Sequence, residues 1–579
     1  PSDLISKALS FKIGNIQFSD HLPLAATFDL DWHGDDHSHP TQLDTNAENP
    51  VEGINTALRV KGIKWSVTQA QKYSEFFQQE IIQTYSALGI TSYEYDQTIN
   101  LFANLLNDLT SFFTVPSHQA NRAHSKTGAL WFNRNCKQAK QHLCAIYNDY
   151  KSSGVTTLPK EYYQAKSAYK YVQKKAKQEW QLNRWQALIA ASSTRNSRKF
   201  WLLVNRKTKR YPLTVIPAPV WESFLRNYFA LPDLNINTID GFYEQLPLWP
   251  PTDPEEIHGL ISNLKVGKAP GPDLVPAEAI KLHADWWAKI LATTFDAVNN
   301  SGMVPRIWKD AIIVPIHKKG STDDPGNYRN ISLLSLIGKI YARFLLTKLT
   351  KWAEENNLIG PEQAGFRPNQ LAVDHVLVLY HLARKYSSPN RGQLCAAFID
   401  LKAAFDSIPR VLLWGKLARW GIDKRLLWLI TKLHDGSATR VRITPAGDLS
   451  NSVTFNRGVR QGCILAPTLF NLFISDMRAP LIDSQETIHA PCLAQYRCPL
   501  LLYADDAVIL SFSRVGLRRA LKIFDVYCKS NFLTINHVKS KVLIFTKSRK
   551  TYNWRIDGKA IDQVFKFQYL GVLLQLNMG

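Results

Sequence analysis

Two carboxylates side by side, Asp505 and Asp506, set between apolar runs, constrain this chain more than any other feature. Leu500–Leu501–Leu502–Tyr503 before them and Ala507–Val508–Ile509–Leu510 after them read as two buried strands. Only a tight turn fits between, so the acids stand at the tip of an apolar hairpin. Like charges so placed repel, and a low-dielectric surrounding makes the repulsion costlier. A bound divalent cation would remove that cost. Aspartate is also an ordinary turn residue, so the pair alone decides little.

About a hundred residues upstream, Asp400 interrupts a second apolar run in Ala397–Phe398–Ile399–Asp400–Leu401–Lys402–Ala403–Ala404–Phe405–Asp406. Mg²⁺ takes hard oxygen ligands, usually one or two carboxylates completed by substrate phosphates. One carboxylate on a strand and a pair on a neighbouring hairpin would suit two-metal, in-line displacement at phosphorus. One ion would activate a 3′-hydroxyl and the other would stabilise leaving pyrophosphate. Between the acidic sites, the glycine-punctuated stretch from Arg457 to Pro467 runs into the apolar Leu469–Phe473, as a loop opening a helix, with the Gln461 amide at its mouth.

In this order the three elements resemble a reverse transcriptase, specifically that of LINE-type (non-LTR) retrotransposons. Further motifs extend the resemblance: Lys268–Ala269–Pro270–Gly271–Pro272–Asp273, then Trp308–Lys309–Asp310–Ala311, Pro315 to Gly320 and Asn327–Tyr328–Arg329. Gln363–Ala364–Gly365–Phe366–Arg367, Leu533–Thr534–Ile535–Asn536, Lys539–Ser540–Lys541 and Phe567 to Val572 complete the series. The resemblance implies an α+β right-hand polymerase with fingers and palm, its antiparallel palm sheet backed by helices. Asp400 and Asp505 would ligate two Mg²⁺ ions, with Mn²⁺ as a substitute, and Asp506 would support them. Phe405 would be the steric gate against a 2′-hydroxyl. Lys318 and Arg329 would neutralise the incoming triphosphate, Arg by its paired donors. Gln461 would hold the nascent base pair, and Lys539 would protonate pyrophosphate. The chain departs from the family pattern at Asn330, where proline is usual, and at Ala466, where serine is usual; neither position supplies a metal ligand.

Composition agrees with a polyanionic partner: 579 residues carry a formal charge of +22 and a pI near 9.5. Much of the excess lies between Arg134 and Arg210, interleaved with Tyr147, Tyr150, Tyr162, Tyr163, Tyr169, Tyr171, Trp180 and Trp185. Cations for phosphates and flat rings for bases suit RNA. A solvated amphipathic helix with aromatics packed inward accounts for the pattern equally well.

Phe18–Ser19–Asp20–His21–Leu22–Pro23–Leu24, followed by Ala25 to Leu30, resembles the closing strands of an apurinic-type endonuclease, a β-sandwich domain that LINE polyproteins place before the polymerase. Only its Asp20–His21 pair remains, so no nuclease activity is expected and the chain reads as a fragment of a larger polyprotein. The expected organisation is an endonuclease remnant over 1–30, a linker over 31–55 and a helical, basic extension over 56–250. A reverse transcriptase domain follows over 251–579, with its core at about 298–575 and an incomplete thumb. Helices are expected from Lys64 to about Thr114, from Trp131 to Val204, and over Arg410–Arg419 and Leu426–His434; the proline-rich 211–251 reads as extended.

Seven scattered cysteines give no disulfide framework and no zinc spacing. No apolar run is long enough to span a bilayer. The expected function is RNA-directed DNA synthesis with RNA template, DNA primer or target DNA, and deoxynucleoside triphosphates as partners. Nucleus and cytoplasm are the expected locations, by family analogy. The competing readings are an RNA-binding relic without catalysis, and another right-hand polymerase such as an intron maturase or a telomerase-like enzyme.

Overall fold

The computed structural model describes residues 11–13, 24–26, 58–60, 67–85, 94–116, 131–153, 158–193, 216–230, 246–318, 320–387, 392–443, 448–460, 462–482, 489–546 and 548–575. The chain forms two compact units, one of Pro1–Leu43 with Ala120–Pro212, the other of Asp44–Gln119 with Leu213–Gly579.

In the smaller unit, strands β1 (Phe11–Ile13) and β2 (Leu24–Ala26) pair antiparallel. Asp20, His21 and the expected linker lie outside the described residues. Helices Arg134–Ser152 and Lys160–Ser193 pack together. Asn133 opens the first, its side chain accepting from the Cys136 N–H at 3.0 Å. Among the described residues, the apolar side chains buried in this pair are few and small, namely Cys136, Ala165 and Ala176.

The larger unit begins with β3 (Leu58–Val60), which pairs with β4 (Thr114–Pro116). Between them run the helix Val67–Phe76, its π-helical continuation Phe77–Ile82, and the helix Tyr95–Ser111. Tyr73, Phe77 and Ile81 recur at helical spacing and enter one core with Phe102, Leu105 and Leu109. Phe77 stacks on His283 at 4.2 Å, which joins these helices to the following domain.

The proline-rich stretch 211–251 is not simply extended. It holds the helix Ala218–Tyr228, preceded by Pro217, with Pro219 in its first turn. Proline there sacrifices no helical hydrogen bond, because the first N–H groups have no partner inside the helix. Trp221 and Leu225, one turn apart, bury that helix against Ile313, Val441 and Val453.

Those residues belong to a four-stranded sheet of order β6-β5-β8-β9: β5 (Asp310–His317), β6 (Tyr328–Leu334), β8 (Ala438–Val441) and β9 (Val453–Thr454). A second sheet, order β12-β13-β7-β14-β16-β15, is centred on β7 (Leu394–Ile399). Its other strands are β12 (Leu500–Tyr503), β13 (Asp506–Ser511), β14 (Lys541–Phe545), β15 (Trp554–Ile556) and β16 (Lys559–Val564). Pairing is antiparallel except between β14 and β16. Two small hairpins flank it, β10 (Cys492–Leu493) with β11 (Tyr496–Arg497) and β17 (Lys566–Tyr569) with β18 (Val572–Gln575).

Every residue of β7 is buried, because both faces of the sheet are covered. Leu394, Ala396 and Phe398 meet Leu379 and Leu382 of the helix Ala372–Tyr386. Cys395, Ala397 and Ile399 face the core that holds Leu517, Leu521 and Phe524 of the helix Arg514–Ser530. The helices Arg410–Arg419 and Lys424–His434 stand close to where the sequence places them.

Candidate active site

Strand register brings the acidic positions to one end of the larger sheet. In β12 and β13 Tyr503 faces Asp506, which leaves Ala504–Asp505 as a two-residue turn. In β13 and β7 Ala507 faces Ile399, so Asp506 and Asp400 are the next residues past the same pair. Lys541 faces Phe398 from the other flank of β7, which brings Lys539 and Ser540 to the same end.

Asp400 is held by four contacts. Its N–H donates to Ser540 Oγ at 3.1 Å, and its carbonyl accepts from the Asn536 N–H at 2.8 Å. Asn536 Nδ2 donates to Asp400 Oδ2 at 2.8 Å, and Lys539 Nζ lies 3.5 Å from Oδ1. The Asp505 turn is clamped from elsewhere. Ala504 has φ of 56°, a left-handed conformation costing roughly 1–2 kcal/mol in a residue with a Cβ. Buried Gln363 holds it: Gln363 Oε1 accepts from the Ala504 N–H at 2.9 Å, and Gln363 Nε2 donates to the Ala504 carbonyl at 3.4 Å. Gly365 packs so closely that a Cβ there would collide with the Ala504 nitrogen.

The carboxylates feel one another. Lost hydration raises the Asp505 pKa, with the Asp400 charge adding to it and Lys539 opposing. Asp506 is open to solvent at its surface, yet surrounded by enough protein that lost hydration comes first among the causes lifting it to about 6; Asp505 and Asp400 add to the rise. Among the described residues, no three His, Cys, Asp or Glu side chains form a group able to hold a metal by themselves.

Lys318 and Arg329 sit at the open end of the β5–β6 hairpin, where Ile316 faces Arg329 and the Lys318 N–H donates to the Asn327 carbonyl at 2.9 Å. Partial burial lowers the Lys318 amine first; Arg329 and Lys539 lower it further, while Asp406 opposes. The four groups therefore share one electrostatic neighbourhood. Phe405 stacks on Phe470 at 4.5 Å and meets exposed Phe366 edge-on at 6.2 Å. Gln461 lies outside the described residues, between Arg460, buried, and Gly462, whose φ is 96°.

Residues 316–574 match the reverse transcriptase (RNA-dependent DNA polymerase) family. The match marks a domain similar to reverse transcriptases over just under half of the chain. Relatives of that domain come from LINE-type mobile elements. The chain is 31% identical over 337 residues to the RNA-directed DNA polymerase from mobile element jockey of Drosophila melanogaster, covering 55% of this chain and 35% of that one. Its counterpart in Drosophila funebris is 27% identical over 405 residues, covering 67% and 42%. A Pol polyprotein from type-1 retrotransposable element R2 of Popillia japonica is 27% identical over 282 residues, covering 47% and 38%. The chain thus spans less than half the length of these relatives. Apo telomerase from Candida tropicalis, truncated from its C-terminal domain, overlays with a TM-score of 0.33 at 15% identity over 47% of this chain and 55% of that one, a likeness too slight to specify a fold.

Several residues that hold this site and its surroundings carry no local sequence signal of their role. Gln363 lies 141 positions from the turn it clamps, and Asn536 lies 136 from Asp400. Their motifs were visible, but no local pattern gives such partners. Asp273, the end of the Lys268–Asp273 motif, is buried at the start of the helix Leu336–Glu355, accepting from Ser335 Oγ and the Leu336 N–H at 2.6 Å each.

Proposed function

We propose that this chain is an RNA-directed DNA polymerase of a LINE-type retrotransposon, extending a DNA 3′-hydroxyl along an RNA template with deoxynucleoside triphosphates. One observation carries the reading: β7 and the β12–β13 hairpin deliver Asp400, Asp505 and Asp506 to one sheet end, inside a domain of the reverse transcriptase family. In this reading the larger sheet is the palm and the β5–β6 hairpin belongs to the fingers.

Asp505 and Asp506, whose pKa values lost hydration and a neighbouring carboxylate raise, suit a divalent cation, whose remaining ligands substrate phosphates would supply. Two Mg²⁺ ions, held by Asp400 and Asp505 with Asp506 beside them, would supply charge neutralisation at the attacking and leaving oxygens. Asn536 orients Asp400. Lys318 and Arg329 bind the triphosphate, and Gln461 supports the nascent base pair. Phe405 presents a flat ring beneath the sugar. Lys539, close to Asp400, donates a proton to the departing pyrophosphate. The exposed Tyr147, Tyr163, Tyr171 and Trp185 of the basic helices, among their lysines, contribute an RNA-binding surface. Work on genomic DNA would take the protein to the nucleus.

Extension of oligo(dT) on poly(rA) with dTTP and Mg²⁺ tests the reading. Extension by the parent that disappears in Asp505→Ala is expected. Failure of the parent to extend while still binding RNA would replace the reading with an RNA-binding relic.

A further inference from the structure

Residues 228–230 precede the family-matched region, yet they reach the segment that carries Phe405. Tyr228 Oη donates to Asp406 Oδ2 at 2.9 Å. Arg457 donates from Nη1 to the Ala230 carbonyl at 3.0 Å and from Nε to the Ser407 carbonyl at 2.8 Å. Backbone ties run alongside: the Val459 N–H donates to the Phe405 carbonyl at 2.8 Å, and the Gly458 N–H to the Ile408 carbonyl at 2.7 Å. Gly458 has φ of 81°, and a Cβ on it would stand 2.7 Å from the Asp406 oxygen, so the approach is close. Phe229, next to Tyr228, stacks on Phe455 at 4.5 Å and anchors the strap.

The segment needs such ties. Ala404–Ser407 is a single helical turn, entered through Ala403 in a left-handed conformation with φ of 47°. One turn cannot hold its own shape, since helix formation gains only after several bonds are made. The direction of the Phe405 ring is therefore set by what grips residues 405–408 from outside. Phe470 supports one face of the ring, and the strap fixes the backbone beneath it. Hydrogen bonds to a carboxylate are stronger than neutral ones, and Asp406 is buried, so the Tyr228 bond is the tie with most to lose.

We propose that Tyr228 is a positioning residue for sugar selection: with Arg457 it clasps the Phe405–Asp406 segment and fixes the ring that excludes a 2′-hydroxyl. The inference rests on the reading of Phe405 as the steric gate of an RNA-directed DNA polymerase.

Single-nucleotide extension by the full chain on an RNA template, measuring kcat and KM for dTTP and for UTP, tests it. Losing one hydrogen bond to a buried carboxylate in Tyr228→Phe lowers the dTTP-to-UTP ratio of kcat/KM by about tenfold, chiefly by lowering KM for UTP. Asp406→Asn keeps an oxygen that accepts from Tyr228 and holds the ratio within about threefold of the parent. Adding Tyr228→Phe to Phe405→Ala lowers the ratio no further, because the clasp acts through the ring. An unchanged ratio in Tyr228→Phe, or an equal loss of kcat for both nucleotides with a lowered melting temperature, overturns the inference and leaves the polymerase reading standing. A parent that extends no primer overturns both.

Discussion

Beside Asp505 the larger unit clamps both backbone groups of Ala504, whereas the helices Arg134–Ser152 and Lys160–Ser193 leave most of their described side chains in water. Asp400 is tied by its N–H, its carbonyl and both carboxylate oxygens, and the neighbouring turn is clamped by a side chain 141 residues away. Among the described residues of the helix pair the buried apolar side chains are Cys136, Ala165 and Ala176, while Tyr171 and Trp185 are 68% and 66% exposed. The difference teaches what each region can be asked to do. The proposed two-metal chemistry would fail if a ligand shifted by about an ångström, so it would demand an over-determined frame. Binding a flexible polyanion demands charge and accessible rings, and tolerates loose support.

The comparison breaks most visibly at Asp400. On the proposed reading, Asp400→Asn should abolish extension, by about a thousandfold or more, while RNA affinity stays within about twofold, because a carboxylate proposed to hold metal is lost but the proposed phosphate contacts are not. RNA affinity falling in parallel with extension would mean that the two regions are not separate in function. Next comes Gly365→Ala, whose Cβ would meet the Ala504 nitrogen. Overpacking at backbone level should cost about 2–4 kcal/mol, read as a lowered melting temperature together with weakened extension. A stable, fully active variant would show that the turn is less fixed than its contacts imply.

Exchange of Lys174, Lys175 and Lys177 for Glu tests the other side. RNA affinity should fall by about tenfold and the salt slope by about two, with melting unchanged, since these lysines lie on an exposed face. Unaltered affinity and slope would return the helices to a structural role. The smallest effect is expected at His375, buried beside Tyr503, whose pKa burial depresses to about 4. An unfolded histidine takes up its proton near 6.5, so the native state binds fewer protons between about 6.5 and 4 and loses stability as pH falls through that window. His375→Phe should flatten the drop in melting temperature between those pH values without altering it at pH 8.

Legibility from sequence followed the range of the interactions. The β12–β13 hairpin and the helix Arg410–Arg419 were readable because apolar runs and periodicity are local signals. Asp400 was readable from its neighbours, although the bonds that hold it come from Asn536 and Ser540. The helix Ala218–Tyr228 is hard to read from sequence because proline usually breaks helices, whereas two of these prolines stand where a helix begins. Its Tyr228–Asp406 bond spans 178 positions and carries no local trace.

The antiparallel register around β7 has one more consequence. Sliding β13 by a single residue along β7 would turn every side chain to the opposite face and bury an acid where a hydrophobic residue belongs. On the proposed reading, intermediate alignments would therefore yield no weakly competent polymerase. A partly misfolded preparation would lose turnover in proportion to the molecules lost, with KM unchanged, and active-site titration of such a sample would count correctly paired strands.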